Sequence, residues 1–267
     1  MGTEAIARPA ATILLLRDGA DGVEVFMVVR HHQIDFAAGA LVFPGGRVEE
    51  ADHALSADSA LCPNPDQVDP SAMAFRIAAI RETFEECGVL FARPAGAGDL
   101  ISVEALLTVE ARHRAALAQG TVSFATVLAA HNLRAAPDCL AYFAHWITPN
   151  HQPKRYDTHF YLAAAPAEHL AVHDGSESVD SVWISPQQAL VETRAGRFKL
   201  VFATEKNLEK IARFRTAAEA LQSARTTPVV TVLPELLRTE GRRRVLRIPE
   251  EAGYGGSEFE VENAPAS

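Results

Sequence analysis

Three glutamates in one short segment give the clearest chemical signal in this sequence. Glu82, Glu85 and Glu86 have the i, i+3, i+4 spacing that places side chains together on one face of an α-helix. On a helical wheel, Ile80 and Phe84 lie on the opposite, apolar side. Carboxylates one turn apart repel each other, and Mg²⁺ or Mn²⁺ removes that repulsion because hard cations prefer oxygen ligands. The spacing predicts a metal site, although a solvated acidic face has the same pattern.

A glycine turn precedes this segment. A short apolar run ends at Pro44, which lacks the N–H donor that would continue a strand. Gly45 and Gly46 follow, and paired glycines permit close backbone approaches that other residues forbid. We therefore expect the turn to come close to another part of the site.

The turn and the acidic segment together match a known pattern. Gly46, Asp52 and the segment from Arg81 to Val89 resemble the signature of the Nudix hydrolases, G-x5-E-x7-R-E-U-x-E-E-x-G-U, where U is apolar. The preceding Phe43-Pro44-Gly45-Gly46 resembles that family's approach to the signature. The resemblance implies an α/β protein with the Nudix fold, an α/β/α sandwich around a mixed β-sheet, with extra C-terminal helices.

The chain departs from this signature at three places. Asp52 replaces the usual glutamate, and the resemblance implies that it pairs with Arg81. Thr83 replaces an apolar residue, although its methyl group can still pack. The spacer from His53 to Ile80 has 28 residues where the signature has seven, so an insertion splits the motif. The glycine turn and the helix can still meet, because sequence separation does not set distance.

Two further segments resemble one branch of the family. That branch contains the peroxisomal coenzyme A diphosphatases and has a similarly split signature. Trp146-Ile147-Thr148-Pro149 and the segment from Pro153 to Phe160 resemble its W-x-T-P and R-F-D-T-x-F-F stretches. The resemblance covers about Ala11 to Ala203. It implies metal-dependent hydrolysis of a diphosphate linkage in coenzyme A or acyl-coenzyme A, by attack of water on phosphorus.

Two other functions fit the same residues. One is hydrolysis of ADP-ribose, a dinucleotide or a nucleotide sugar by the same chemistry. The other is a sensor that binds a nucleotide without turning it over. A sensor predicts a damaged motif and usually an appended binding module, whereas Arg81 and all three helix glutamates are present.

The resemblance also implies roles for individual residues. Glu82, Glu85 and Glu86 are the expected ligands of Mg²⁺ or Mn²⁺, and Glu82 and Glu85 are expected to be catalytic with the support of Arg81. Glu177 is a further catalytic candidate, because many relatives have a glutamate in the corresponding loop that binds metal or assists water. Weaker candidates are the loop acids Asp174, Glu49 and Glu50.

Basic residues are candidates for binding the diphosphate. Lys154 and Arg155 precede a predicted strand, and Arg30 ends another strand near the glycine turn. Arginine suits bidentate contact with phosphate. Gly45 and Gly46 are expected to contact the substrate as well. Each basic residue taken alone is also compatible with an ordinary surface charge.

Composition and charge limit the classes of partner. The chain has 267 residues, 48% of them hydrophobic, and a formal net charge of −9, so it has enough apolar residues for a core and repels nucleic acid and anionic membranes. Its three cysteines lack the spacing of a zinc site or a disulfide framework, which favours a cytoplasmic location. We expect a small-molecule diphosphate partner, no nucleic acid and no membrane. Monomer and homodimer remain open.

Hydrophobic periodicity and turn residues predict the elements that position these groups. Strands are predicted at residues 11–16, 23–29, 40–43, 140–147, 156–162 and 179–184. Helices are predicted at residues 72–87, 103–118, 123–131 and 205–225, and from Pro186 onward. The helix at 72–87 is expected to be capped by Ser71 and closed by Gly88. The segment 47–70 is predicted to be a surface loop.

We expect one domain over residues 1–267. Its core is predicted at about 10–203, and a helical and extended C-terminal cover at about 204–258. A disordered tail is predicted after that.

Overall fold

The computed structural model of the chain describes residues 5–30, 39–150, 152–167, 169, 178–241 and 243–262. Its strands are β1 (Arg8–Gly19), β2 (Gly22–Arg30), β3 (Leu41–Val42), β4 (Gly45–Arg47), β5 (Ala92–Pro94), β6 (Leu133–Ala135), β7 (Ala141–Ile147), β8 (Tyr156–Ala164), β9 (Ser178–Ile184), β10 (Thr231–Val232), β11 (Glu235–Glu240), β12 (Arg243–Arg247) and β13 (Glu258–Glu262). Its α-helices are α1 (Glu50–Ser56), α2 (Pro70–Cys87), α3 (Val103–Val109), α4 (Ala115–Ala118), α5 (Phe124–Ala130), α6 (Pro186–Arg194), α7 (Phe202–Ile211) and α8 (Ala217–Thr226). A π-helical turn, Glu110–Arg114, joins α3 to α4.

A mixed eight-stranded sheet forms the centre of the fold. Its main path is β10-β7-β8-β1-β2-β3, while β4 also pairs with β1 and β9 also pairs with β2. The pairs β1–β8 and β10–β7 are parallel, and the other pairs are antiparallel. The β1–β8 pair brings the beginning of the chain beside residues 156–164.

Both faces of this sheet are buried, because successive side chains of a strand point to opposite sides. In β1, Ile13 and Leu15 pack toward α2, whereas Leu14 and Leu16 pack toward the layer formed by α6, α7 and α8. All four side chains are fully buried. These two layers confirm the predicted α/β/α sandwich around a mixed sheet.

The helix that carries the glutamates, α2, begins earlier than predicted. Asp69 rather than Ser71 is its N-cap, and the Asp69 carboxylate accepts the Ser71 N–H at 2.9 Å. The prediction of Ser71 was wrong because Pro70 takes the first helical position, where no N–H donor is needed. At the other end, Gly88 has a φ of 71° and closes the helix, as predicted.

The predicted surface loop after the glycine turn contains a helix, α1. Its first turn is stabilised by Asp52, whose Oδ2 accepts the backbone N–H of Glu49 at 2.9 Å. Only Asp52 and Leu55 of this helix are buried. The prediction of an irregular loop was wrong because one buried apolar residue gives no helical period in the sequence.

The predicted helix at 205–225 is two helices, α7 and α8. Thr216 caps α8 by accepting the Glu219 N–H at 3.2 Å, which starts a new helix after a break at residues 212–216. Both halves have helical periodicity, so the hydrophobic pattern alone did not reveal the break.

The C-terminal segment forms an antiparallel sheet of three strands, β11, β12 and β13. The predicted disordered tail is wrong for residues 259–262, which belong to β13. The ring of Phe259 explains this order, because the Lys206 ammonium lies 4.3 Å from its centroid and the ring packs on the core. The proposed boundaries of a single domain stay a prediction.

An α-helix that crosses a lipid bilayer needs about 20 predominantly apolar residues. Within the part of the chain that the structure describes, none of the helices combines the length and apolar character needed to cross a membrane.

Candidate active site

The glycine turn lies directly against the glutamates of α2. The Gly45 N–H donates to Glu86 Oε2 at 3.1 Å. A Cβ atom at Gly46 would collide with the Glu82 carboxylate, and one at Gly45, where φ is 156°, would collide with the Ala11 carbonyl oxygen. Position 45 therefore requires glycine, because the obstructing atom belongs to the backbone, and Gly46 lets the turn approach the Glu82 carboxylate closely. The insertion does not separate the two halves of the motif in space.

Arg81 connects these two halves. Its Nε and Nη2 atoms donate to the two carboxylate oxygens of Asp52, each at 2.9 Å, and Nη2 also donates to the Arg47 carbonyl at 2.9 Å. Its Nη1 donates to Glu82 Oε1 at 2.9 Å and to Glu85 Oε1 at 3.2 Å. The Arg81 side chain is only 6% exposed and that of Asp52 only 1%. The structure thus contains the Arg81–Asp52 pair that the motif implies.

Burial disfavours the ionised forms of Glu82 and Glu85. Loss of hydration raises the pKa of Glu82 to about 7, an effect that Arg81 opposes and Glu85 reinforces. Burial also raises the pKa of Glu85, again against Arg81, and the charge of Glu49 adds to the rise. Because one guanidinium is shared among Asp52, Glu82 and Glu85, these three carboxylates carry more negative charge than Arg81 alone can balance.

The donor set fits a hard divalent cation. Glu82, Glu85 and Glu86 offer carboxylate oxygens from adjacent turns of α2, and all three side chains are partly exposed, so water can complete a coordination shell. A cation here would balance the excess negative charge and favour the ionised form of Glu82. Carboxylate and water ligands suit Mg²⁺ or Mn²⁺.

Arg114, which sequence analysis did not single out, holds the last turn of α2. Its Nε donates to the Glu85 backbone carbonyl at 2.9 Å, and its Nη1 pairs with Glu110 at 2.5 Å. Both residues belong to the π-helical turn, a form that often occurs at functional sites. A Cβ atom at Gly88 would lie 2.8 Å from the Glu110 carboxylate, so this turn packs tightly on α2. The distance of Arg114 from the Nudix motif along the sequence does not predict its contact with α2.

Comparison with known proteins agrees with this arrangement. A sequence model described as the NUDT19 Nudix domain matches residues 63–201, just over half of the chain. The chain belongs to the Nudix hydrolase family. The match confirms both the family and the branch that the motifs resemble. The matched segment begins after Gly45, Gly46 and Asp52, the Nudix residues that the structure places beside α2.

Two curated relatives have similar levels of identity. Putative nudix hydrolase 7 from Caenorhabditis elegans is 29% identical over 198 residues, which cover 72% of this chain and 56% of that protein. Acyl-coenzyme A diphosphatase NUDT19 from Gallus gallus is 29% identical over 240 residues, which cover 68% of this chain and 62% of that protein. The chain therefore spans less than two thirds of the length of these Nudix relatives.

A solved structure confirms the Nudix fold. The crystal structure of a NUDIX hydrolase from Alicyclobacillus acidocaldarius matches with a TM-score of 0.70 and 26% sequence identity. The match covers 82% of this chain and 96% of that chain.

Two predicted phosphate-binding residues lie in the loop between β7 and β8. Arg155 donates to the carbonyl oxygens of Thr148 at 3.0 Å and Ala5 at 2.6 Å, and to Asn150 Oδ1 at 2.5 Å. These bonds tie the loop to the beginning of the chain. Lys154 is exposed in the same loop. Contact of either residue with substrate stays a prediction.

Three further candidate residues lie wholly or partly outside the part of the chain that the structure describes. Glu177 and Asp174 lie outside the described residues, as does the side chain of Arg30, whose backbone ends β2. Gly45 and Gly46 contact the Nudix glutamates, and their predicted contact with substrate remains to be measured.

Proposed function

We propose that this chain uses Mg²⁺ or Mn²⁺ to hydrolyse the diphosphate linkage of a coenzyme A-type substrate. The observation that carries the proposal is the meeting of three α2 glutamates with the glycine turn, although 28 residues separate the two halves of the motif. Relatives named acyl-coenzyme A diphosphatase NUDT19, each 29% identical to this chain, support the substrate class.

In this proposal, Glu82, Glu85 and Glu86 hold the cation. When bound, it supplies charge neutralisation on the phosphoryl oxygens and lowers the pKa of an attacking water. Arg81 positions the carboxylates of Glu82 and Glu85, and the Gly45 N–H positions that of Glu86. The absence of side chains at the glycine turn lets the turn approach the carboxylates closely. Water attacks one phosphorus, and a phosphorylated fragment leaves.

A substrate panel tests the proposal. Purified protein with Mg²⁺ or Mn²⁺ is incubated with coenzyme A, acyl-coenzyme A, ADP-ribose, NADH, diadenosine polyphosphates and UDP-glucose, and the products are separated by chromatography. Release of adenosine 3',5'-bisphosphate and a phosphopantetheine product is the expected result. Release of AMP or UMP from the other substrates alone would show that the substrate is a different diphosphate and not coenzyme A. No hydrolysis with either metal would overturn the proposed reaction.

Glu85→Gln tests the metal-binding role, because it removes the charge while nearly conserving the shape. We expect kcat to fall by about 100-fold or more, since the cation contributes several kcal/mol to stabilising the transition state. Glu104→Gln is the matched control, because Glu104 is an exposed helical glutamate in α3. Near-normal activity of a folded Glu85→Gln protein would contradict the proposed role of α2.

A further inference from the structure

A second group of potential metal ligands lies on the central sheet. His145 in β7 is the direct cross-strand partner of His159 in β8. Asp157 precedes His159 by two residues and therefore points to the same face of the sheet. All three side chains are partly buried. The ring of Phe75, from α2, stacks on His159, so the group lies on the face that α2 covers.

The group is separate from the Nudix glutamates. In the sheet, His159 is aligned with Ala11, and Ala11 is aligned with Gly46, which contacts Glu82. Two strand spacings, roughly 10 Å in total, therefore lie between His159 and Gly46. The two groups share one face of the sheet but have no residue in common.

The ligand atoms are already gathered. One nitrogen from each histidine and one oxygen from Asp157 lie within 4.8 Å of one another. His145 Nε2 lies 2.5 Å from Asp157 Oδ1. In a tetrahedral zinc site the ligand atoms are about 3.3 Å apart, because each bond to zinc is about 2.0 Å long. One separation is shorter than this value and none exceeds 4.8 Å, so small side-chain movements would close the group around an ion.

Neighbouring side chains hold both histidines in place. His145 Nδ1 lies 2.8 Å from Thr231 Oγ1, which leaves Nε2 for a ligand bond. A hydrogen bond of this kind to the second nitrogen is typical of histidines that bind metal. The His159 ring lies 3.9 Å from that of Phe75 and 5.1 Å from that of Tyr142, centroid to centroid. Ring rotation is therefore restricted before any ion binds.

We propose that His145, Asp157 and His159 bind a divalent transition-metal ion of the zinc class. Two imidazoles and one carboxylate suit Zn²⁺, Co²⁺ or Fe²⁺, whereas the all-carboxylate group on α2 suits Mg²⁺ or Mn²⁺. The protein would then hold two kinds of cation at two sites. Three protein ligands leave at least one coordination position for water or another small ligand. This proposal does not depend on the hydrolytic function.

Cobalt titration tests the site, because Co²⁺ reports its coordination by visible absorption. Metal-free full-length protein is titrated with Co²⁺ in excess Mg²⁺, which occupies the carboxylate site. We expect one equivalent to bind with the intense absorption of low-coordinate Co²⁺, and Zn²⁺ to displace it. His159→Gln should weaken binding by more than about 100-fold, since even groups that only support metal ligands contribute ten- to a hundredfold.

Three further variants make the result specific. His131→Gln is the matched control, because His131 and His113 form another close histidine pair, with ring centroids 5.1 Å apart. Glu85→Gln should keep normal Co²⁺ binding even if it abolishes hydrolysis, which separates this proposal from the proposed function. Asp157→Asn provides an independent test if His159→Gln does not fold. Equal Co²⁺ affinity in wild type, His159→Gln and Asp157→Asn would overturn the proposal, as would the lack of binding by wild type.

Discussion

Arg81 shows how one side chain can organise a catalytic site. Five hydrogen bonds from its guanidinium reach Asp52, Glu82, Glu85 and the Arg47 carbonyl. The planar fork of arginine matches the two oxygens of Asp52, and the remaining donors reach in other directions. An ammonium group carries the same charge but cannot make this set of contacts.

Arg81→Lys is therefore expected to be a severe change despite conserving charge. Because both partners are buried, an incomplete pairing of Asp52 should lower the free energy of unfolding by about 2 to 4 kcal/mol. Urea denaturation measures this loss, and kcat should fall as Glu82 and Glu85 lose their orientation. Arg93→Lys is the control, since Arg93 also pairs through two bonds with one carboxylate, Asp138, but in a more exposed setting. Equal effects of the two variants would contradict the importance of burial.

The raised pKa of Glu82 predicts how metal-free protein responds to pH. In the unfolded chain Glu82 ionises near pH 4.5, whereas burial in the folded protein raises its pKa to about 7. The folded state holds this proton more tightly, so the contribution to stability is complete below about pH 4.5 and is lost as pH rises through about 7. We expect the loss of stability over this interval to be about 1 to 3 kcal/mol larger in wild type than in Glu82→Gln.

The same proton competes with the cation. Below pH 7, apparent Mg²⁺ affinity should fall by up to about tenfold per pH unit, because the metal requires the ionised carboxylate. Thermal unfolding at several pH values, with and without Mg²⁺, measures both effects. Saturating Mg²⁺ should reduce the loss of stability above pH 4.5. An identical stability profile in wild type and Glu82→Gln would show that Glu82 does not titrate in this way.

Some of these residues could be predicted from the sequence and others could not. The glutamates and Arg81 lie on a single helix, where residue spacing fixes which side chains are neighbours. The group of His145, Asp157 and His159 depends on the register of β7 with β8, which includes an irregularity between Tyr142 and Ala144. Sequence spacing does not determine such a register, so this group was visible only in the structure.

The helix α2 is fixed at both ends. Asp69 caps its N-terminus, and Gly88 ends it in the left-handed conformation against the π-helical turn. Tight packing at this end matters because Glu85 and Glu86 lie in the last turn. Displacement of the last turn of α2 would move the Glu85 and Glu86 carboxylates away from the glycine turn.

Gly88→Ala should therefore affect both stability and activity. The left-handed backbone costs an alanine about 1 kcal/mol, and the new Cβ atom would press on Glu110 and Arg114. We expect a total loss of about 2 to 3 kcal/mol in urea denaturation, together with lower kcat/KM. Gly120→Ala is the control, because Gly120 also has a left-handed φ of 67° but no atom lies within 4 Å of its added Cβ. Equal losses in the two variants would show that packing against the π-helical turn is unimportant.

Elements were predictable where one periodic pattern dominated. The predicted strands of the sandwich overlap β1, β2, β3, β7, β8 and β9. The helix α1 was missed because it buries little, and the break between α7 and α8 was missed because capping by Thr216 interrupts an otherwise helical pattern. Local propensity predicts that a helix exists more readily than where it ends.

A buried series of hydrogen bonds links the C-terminal segment to the central sheet. Trp146 Nε1 donates to Tyr254 Oη at 2.9 Å, and the Tyr254 hydroxyl donates to Asn207 Oδ1 at 2.8 Å. These residues come from β7, the C-terminal segment and α7. Their side chains are buried, so lost hydrogen bonds would not be replaced by bulk water.

Tyr254→Phe should destabilise the protein without affecting catalysis. It removes one hydroxyl and leaves the indole N–H of Trp146 and the Asn207 oxygen without this partner, which should cost about 1 to 3 kcal/mol. Urea denaturation measures the cost, and kcat should remain near that of wild type because the hydroxyl lies on the opposite side of the sheet from α2. A fall in kcat with unchanged stability would contradict this purely structural role.

The overall architecture was predictable only through family resemblance. Alternation of strands and helices indicates an α/β protein, but the strand order and the parallel β1–β8 pair depend on contacts between distant segments. The small sheet formed by β11, β12 and β13 was not predicted, because short apolar runs separated by proline and glycine also occur in irregular segments.

The insertion that splits the Nudix motif contains a position where the chain could be cut or extended. Asn64 and Val68 exchange two hydrogen bonds of 2.8 Å in an exposed turn between α1 and α2. The contacts of Arg81 with Asp52, and of Gly45 with Glu86, hold the two halves of the motif together, and neither contact involves a residue of that turn. The turn is thus a position where a foreign domain could be grafted, or new chain ends created, with the catalytic geometry preserved.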